Sequence, residues 1–119
     1  MDGIKDFHAH IYFDVSQLDE ARALAEQARR LFGVAVGKFH EKPVGPHPRG
    51  SCQLTVAAAI FGAFATWVAL NRGELTVFAH ADTGEDLIDH SRNVVWFGPS
   101  EILDLSIFSG ALPPASGGR

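Results

Sequence analysis

The residues best suited to chemistry in this chain are histidines. Six occur in 119 residues, and His8 and His10 stand two apart in the run Asp6-Phe7-His8-Ala9-His10-Ile11-Tyr12-Phe13. Read as a β-strand, the run puts successive side chains on opposite faces. Phe7, Ala9, Ile11 and Phe13 then share an apolar face, and Asp6, His8, His10 and Tyr12 share the other. The two imidazoles fall roughly 6–7 Å apart at Cα. Imidazole nitrogen suits Zn²⁺ and Fe²⁺, and a site with three protein ligands keeps a position open for water or substrate. Two histidines on a strand are also what a plain polar face looks like, so a third ligand decides. His80 supplies one candidate: it closes a later strand-like run in which Leu75, Val77 and Ala79 alternate with Thr76, Phe78 and His80. A loop residue is the other candidate.

Further groups could complete a site. His47 lies between Pro46 and Pro48, which fix its backbone and leave the ring free to act as a base or a ligand. His40 precedes Glu41, which could add a carboxylate. His90 follows Asp89 near the end of a short helix, where a histidine is also favoured by the helix dipole alone. Arg49 could grip a substrate carboxylate with its fork, and Tyr12 could hydrogen-bond a phenol from the histidine face. Cys52 reads as a small buried hydrophobe rather than a nucleophile. There is no phosphate-binding glycine loop, Gly-x-Ser-x-Gly elbow, Cys-x-x-Cys pair or calcium loop.

These residues need a scaffold, and the rest of the chain describes one. After the first strand, Ser16 and Asp19 read as a capping box for a helix whose apolar stripe includes Leu18, Ala21, Leu24, Ala25, Ala28, Leu31 and Phe32, with Gly33 as its left-handed stop. Val34 to His40 alternates as a second strand. The proline-rich stretch from Glu41 to Gly50 is a shaped loop. Ser51 to Ala57 is a third strand, with Leu54 and Val56 inward and Gln53 and Thr55 outward. About Ile60 to Asn71 is a second helix, with Phe61, Phe64, Trp67, Val68 and Leu70 forming its apolar surface. Glu74 to Ala81 is the fourth strand, and a short helix runs to about His90. Val94 to Phe97 and Ile102 to Phe108 read as extra edge strands or a hairpin.

The order β-α-β-β-α-β is the ferredoxin-like split βαβ arrangement, an α+β fold. It predicts an antiparallel sheet in spatial order four, one, three, two, with both helices on one face. His8, His10 and His80 then share the open face. Cover for that face must come from the C-terminal segment, a second subunit or a ligand, and Trp96, Phe97, Ile102, Leu103, Leu105, Ile107 and Phe108 offer apolar area for it. A homodimer is therefore expected. Residues 1–112 read as one domain and 113–119 as a flexible tail.

Composition narrows the partners. The net charge of −4 with no clustered basic surface argues against nucleic acid. The longest apolar stretch, Val56 to Leu70, is too short to span a bilayer and holds Thr66, so no membrane partner is expected. One cysteine and no leading signal segment fit the cytoplasm.

Several segments together resemble the DOPA 4,5-dioxygenase-like family of fungi and bacteria. They are Phe7 to Phe13, His40 to Pro48, Asn71-Arg72-Gly73, Val77-Phe78-Ala79-His80, Thr83-Gly84, Asp89-His90 and Trp96-Phe97-Gly98. The match runs in order from about Asp6 to Leu105. Its most specific parts are the histidine-rich first strand and the Gly45-Pro46-His47-Pro48 loop. One departure is Ala81, where the family pattern has proline after the histidine. The resemblance implies a ferredoxin-like dimer and non-haem Fe(II) extradiol cleavage of a catechol by O₂, giving a muconic semialdehyde. Zn²⁺ is the other metal the site would accept. On this reading His8, His10 and His80 hold the metal, His47 and His40 are catalytic with His47 as base, and Tyr12, Arg49 and His90 bind the aromatic diol. Fe(II) commonly takes two histidines and a carboxylate, so Glu41 stands as an alternative to one histidine.

Overall fold

The computed structural model describes residues 4–108. Five strands form one sheet in the order β2-β3-β1-β4-β5, and every neighbouring pair is antiparallel. The strands are β1 (Asp6–Phe13), β2 (Ala35–His40), β3 (Gly50–Ala57), β4 (Thr76–Asp82) and β5 (Val94–Phe97). Helices α1 (Leu18–Phe32) and α2 (Phe61–Asn71) connect β1 to β2 and β3 to β4, and α3 (Asp86–Ser91) joins β4 to β5. The expected four-strand order is present, extended at one edge by β5.

Both long helices pack on one face. Ala9, Ile11 and Phe13 of β1, Cys52, Leu54 and Val56 of β3, and Val77 and Ala79 of β4 meet Ala21, Leu24, Ala25 and Ala28 of α1 and Phe64 and Val68 of α2. The alanine stripe lets α1 lie close to the sheet, and Gly33 ends it at φ 69° with its N–H donating to the Arg29 carbonyl. Leu70 is 81% exposed although it belongs to the apolar run of α2. It sits about 200° around the helix from buried Val68, so an all-apolar helix turns it to the outside.

The opposite face is half covered. Tyr12, Phe78 and Leu103 are buried together there, with Val94, Trp96 and Leu105 packed against them. The C-terminal segment therefore supplies much of the expected cover. It does so with one strand, β5; Ile102–Phe108 contains only the short 3₁₀ turn Leu105–Ile107. Ile102 and Ile107 face outward and Phe97 packs into the helix-side core instead. The expected tail at 113–119 lies outside the described residues.

Two local expectations change. The helix start is built two residues earlier: Val15–Gln17 forms a 3₁₀ turn, and the Asp14 N–H donates to Gln17 Oε1 at 2.9 Å in place of a Ser16–Asp19 box. Strand β2 does not alternate throughout. Its register against β3 shifts between Val36 and Phe39, so both of those side chains reach the core although they are three apart. That is a β-bulge, and Gly37 and Lys38 occupy it.

Candidate metal centre

Strand pairing brings three histidines together. His8 lies directly opposite His80 in the β1–β4 register, and His10 pairs with Phe78 in the same ladder. One ligand nitrogen from each of His8, His10 and His80 falls within 4.8 Å of the other two. The Nε2 atoms of His10 and His80 are 3.1 Å apart. Two nitrogens bound to one ion at about 2.0–2.1 Å stand about 3.3 Å apart at a tetrahedral angle. The donor set therefore fits a transition-metal ion with little movement.

Hydrogen bonds fix the rings. His80 Nδ1 is 2.9 Å from the Ala81 carbonyl. A carbonyl only accepts, so Nδ1 carries the proton and Nε2 keeps its lone pair toward His10, the usual arrangement behind a metal-bound imidazole. The Asp82 carboxylate stands 3.6 Å from His8 Nε2. Burial pushes His10 well below the ordinary imidazole range, and His47 and His80 beside it push the same way. Burial likewise lowers His80 to about 4, with the neighbouring His90 adding to the effect. These conditions favour neutral imidazoles, which is the form a metal needs.

Two more histidines flank the three. The His47 ring lies 4.1 Å from His10, and the His90 ring lies 3.9 Å from His80. His47 is buried and lowered to about 4, by desolvation first and then by His90 and His80. Its Nδ1 is 2.7 Å from the Tyr12 hydroxyl. Burial and the Glu101 carboxylate push the Tyr12 phenol up, so it stays protonated. No other acceptor meets that hydroxyl among the described residues, so the phenol donates to Nδ1 and leaves a proton on His47 Nε2. His90 is set the opposite way. Its Nδ1 donates to the Asp86 carbonyl at 2.8 Å, one helical turn back, which leaves Nε2 as an acceptor.

The loop bearing His47 is clamped by the C-terminal segment. The Asp104 N–H donates to the Pro46 carbonyl at 2.9 Å, and Arg49 donates to Glu101 at 2.7 and 3.1 Å and to Asp14 at 3.1 Å. Within α3, buried Asp89 accepts from the Thr83 N–H and hydroxyl and from Asn93. Burial would raise that carboxyl, but these hydrogen bonds outweigh it and hold it low.

The histidines form the floor of a cleft of about 560 Å³. Its walls include His40, Val44, Pro46, Gln53, Thr55 and Phe108. Thus His8, His10, His40, His47, His80 and His90 line one cavity. Tyr12 is fully buried below His47 and is outside the cleft lining, with its hydroxyl hydrogen-bonded to that ring. Arg49 is also outside the lining, its guanidinium engaged by two carboxylates. Glu41 is exposed and outside it too. Sequence reasoning missed Asp82, Lys38, Gln53 and Thr55 as site neighbours. The signal for two of them was present: Gln53 and Thr55 were already on the outward face of β3, opposite His10 and His8.

The sequence pattern of the Dopa 4,5-dioxygenase family matches residues 7–107. The chain belongs to this family. It is 33% identical over 112 residues to the DOPA 4,5-dioxygenase of Amanita muscaria, covering 87% of this chain and 49% of that protein. An uncharacterised 21.2 kDa protein of Botryotinia fuckeliana is 36% identical over 113 residues, 85% of this chain and 62% of the relative. The chain thus spans about half to three-fifths of the length of these curated relatives. The crystal structure of a candidate dioxygenase from Nostoc punctiforme superposes with a TM-score of 0.85 at 35% identity, covering 87% of this chain and 90% of that one. The family pattern takes in all six histidines and the clamp at Glu101.

Proposed function

We propose that this protein is a non-haem metal-dependent extradiol dioxygenase acting on a catecholic, DOPA-like ring. The observation that carries the reading is the convergence of His8, His10 and His80 on the floor of a cleft sized for a small aromatic molecule. Fe(II) is the ion we assign, with Zn²⁺ as another that the three imidazoles would hold. When bound, the ion supplies a template for diol and O₂ and stabilises charge between them.

The chain's own residues do the rest. Val44, Pro46 and Phe108 give the cleft apolar walls against which a ring can lie. The hydrogen bonds support dividing the acid–base work between two histidines, with His90 rather than His47 as the base. His90, with Nε2 unprotonated, takes a phenolic proton. His47, with Nε2 protonated by virtue of Tyr12, donates to oxygen as the ring opens. His40, at the end of β2, also lines the cleft and is assigned a role in holding the substrate. In the overall reaction the ring C–C bond beside the diol breaks, both atoms of O₂ enter the product, and no external reductant is consumed.

A second subunit on the outer faces and a cytoplasmic setting belong to the same proposal. The buried, unpaired Cys52 suits a reducing compartment, and no helix among the described residues is long and apolar enough to cross a membrane.

The test is anaerobic loading with Fe(II), then catechol and O₂. A yellow ring-opened semialdehyde carrying two labelled oxygens from ¹⁸O₂ is expected. Tight metal binding without product across varied catechols would instead mark a binding protein.

A further inference from the structure

The described lining of the cleft includes one ammonium side chain, that of Lys38. Lys38 is the only lysine or arginine among its described lining residues, and it forms no ion pair with a described carboxylate. Arg49, the residue whose chemistry suggested anion binding, is neutralised by Glu101 and Asp14. Lys38 is also placed by an irregularity. The bulge between Val36 and Phe39 sets Gly37 and Lys38 against Gln53. The backbones approach so closely there that a Cβ on Gly37 would stand 3.1 Å from the Gln53 carbonyl oxygen. Gln53 in turn pairs with His10. A row therefore runs across three adjacent strands from the metal-site histidine to the bulge, about 10 Å at Cα from the strand spacing. Bulges beside sites commonly re-aim a side chain.

We propose that Lys38 is a specificity-determining residue that binds an anionic group on the substrate's side arm. With the diol at the histidines, a ring lying over Gln53 directs its far substituent toward β2. A carboxylate on a short chain reaches the Lys38 ammonium from there, and a bare catechol does not. This inference rests on the catechol reading and adds the substrate's charge to it.

Zinc-loaded protein, which does not turn over, allows binding to be measured by calorimetry. The probes are 3-(3,4-dihydroxyphenyl)propionate and the neutral 4-methylcatechol. Wild type should bind the propionate about tenfold more tightly. Lys38→Met should remove that preference and leave the 4-methylcatechol affinity unchanged, and Lys38→Arg should restore it. A wild type without the preference, or a Lys38→Met protein that keeps it, overturns the proposal. Turnover of 4-methylcatechol by the Fe(II)-loaded proteins separates the two claims. Cleavage with no Lys38 effect on binding defeats this inference alone, whereas absence of cleavage of either probe defeats the catechol reading.

Discussion

The Tyr12 hydroxyl lies 2.7 Å from His47 Nδ1 beneath the cleft. This contact ties the strand that carries His8 and His10 to the loop that carries His47. Because the phenol is buried and has no other described acceptor, it sets which His47 nitrogen is protonated. Tyr12→Phe keeps the ring volume and removes that control. A lost hydrogen bond of about 1–1.5 kcal/mol corresponds to roughly a tenfold fall in kcat. KM and metal content should be unchanged. Steady-state kinetics beside metal analysis checks this, and a fall confined to metal content would place Tyr12 in the metal site instead.

His90 and His47 are given opposite roles, so their variants should differ. His90→Gln removes the proton acceptor and should lower kcat by about 10²-fold, most severely below neutral pH, where fewer substrate phenols ionise unaided. His47→Gln retains a side-chain N–H donor and should lose less. Equal losses in both, with the same pH profile, would count against the division of labour.

The metal-free protein should lose stability in acid through the same histidines. His47 and His80 lie at about 4 when folded, against an ordinary value of 6.5. The unfolded chain therefore binds more protons than the folded one between those values, and stability falls as pH drops from about 6.5 toward 4. Each group accounts for on the order of 2–3 kcal/mol over the window. Urea melts of metal-free protein at pH 7.5 and 5.0 should show the midpoint falling. A midpoint that holds or rises would contradict neutral burial of these rings.

Alternation of apolar and polar residues is enough to make the sheet and the three-histidine face legible in the sequence. Phe7, Ala9 and Ile11 fix the phase of β1, and Leu75, Val77 and Ala79 fix that of β4. Antiparallel pairing then leaves His80 one place where it can go. The bulge in β2 is not legible, because Val34 to His40 alternates well enough as a regular strand and the shift depends on Gly37 meeting the β3 backbone. The ion pairs that engage Arg49 are hidden for a related reason. Its partners Asp14 and Glu101 are 35 and 52 residues away, and nothing local announces them. Ring nitrogen protonation is equally hidden, since it depends on Ala81, Asp86 and Tyr12 as partners.

The clamp on the His47 loop gives another prediction. Glu101→Gln weakens a partly exposed ion pair with Arg49, a loss of about 1 kcal/mol or less. Global stability should hardly move, but amide hydrogen exchange at residues 44–49 should speed up and kcat should fall a few-fold. Unchanged exchange in that loop would show that the Asp104–Pro46 and Tyr12–His47 hydrogen bonds hold it without the ion pair.

On the proposed reading, one ion sits among His8, His10 and His80. Anomalous diffraction from crystals loaded anaerobically with Fe(II) tests it most directly. The expected result is a single iron peak within bonding distance of one nitrogen from each of the three rings, absent from His10→Ala crystals. An iron peak elsewhere in the cleft, or one that persists at full occupancy in His10→Ala, would contradict it.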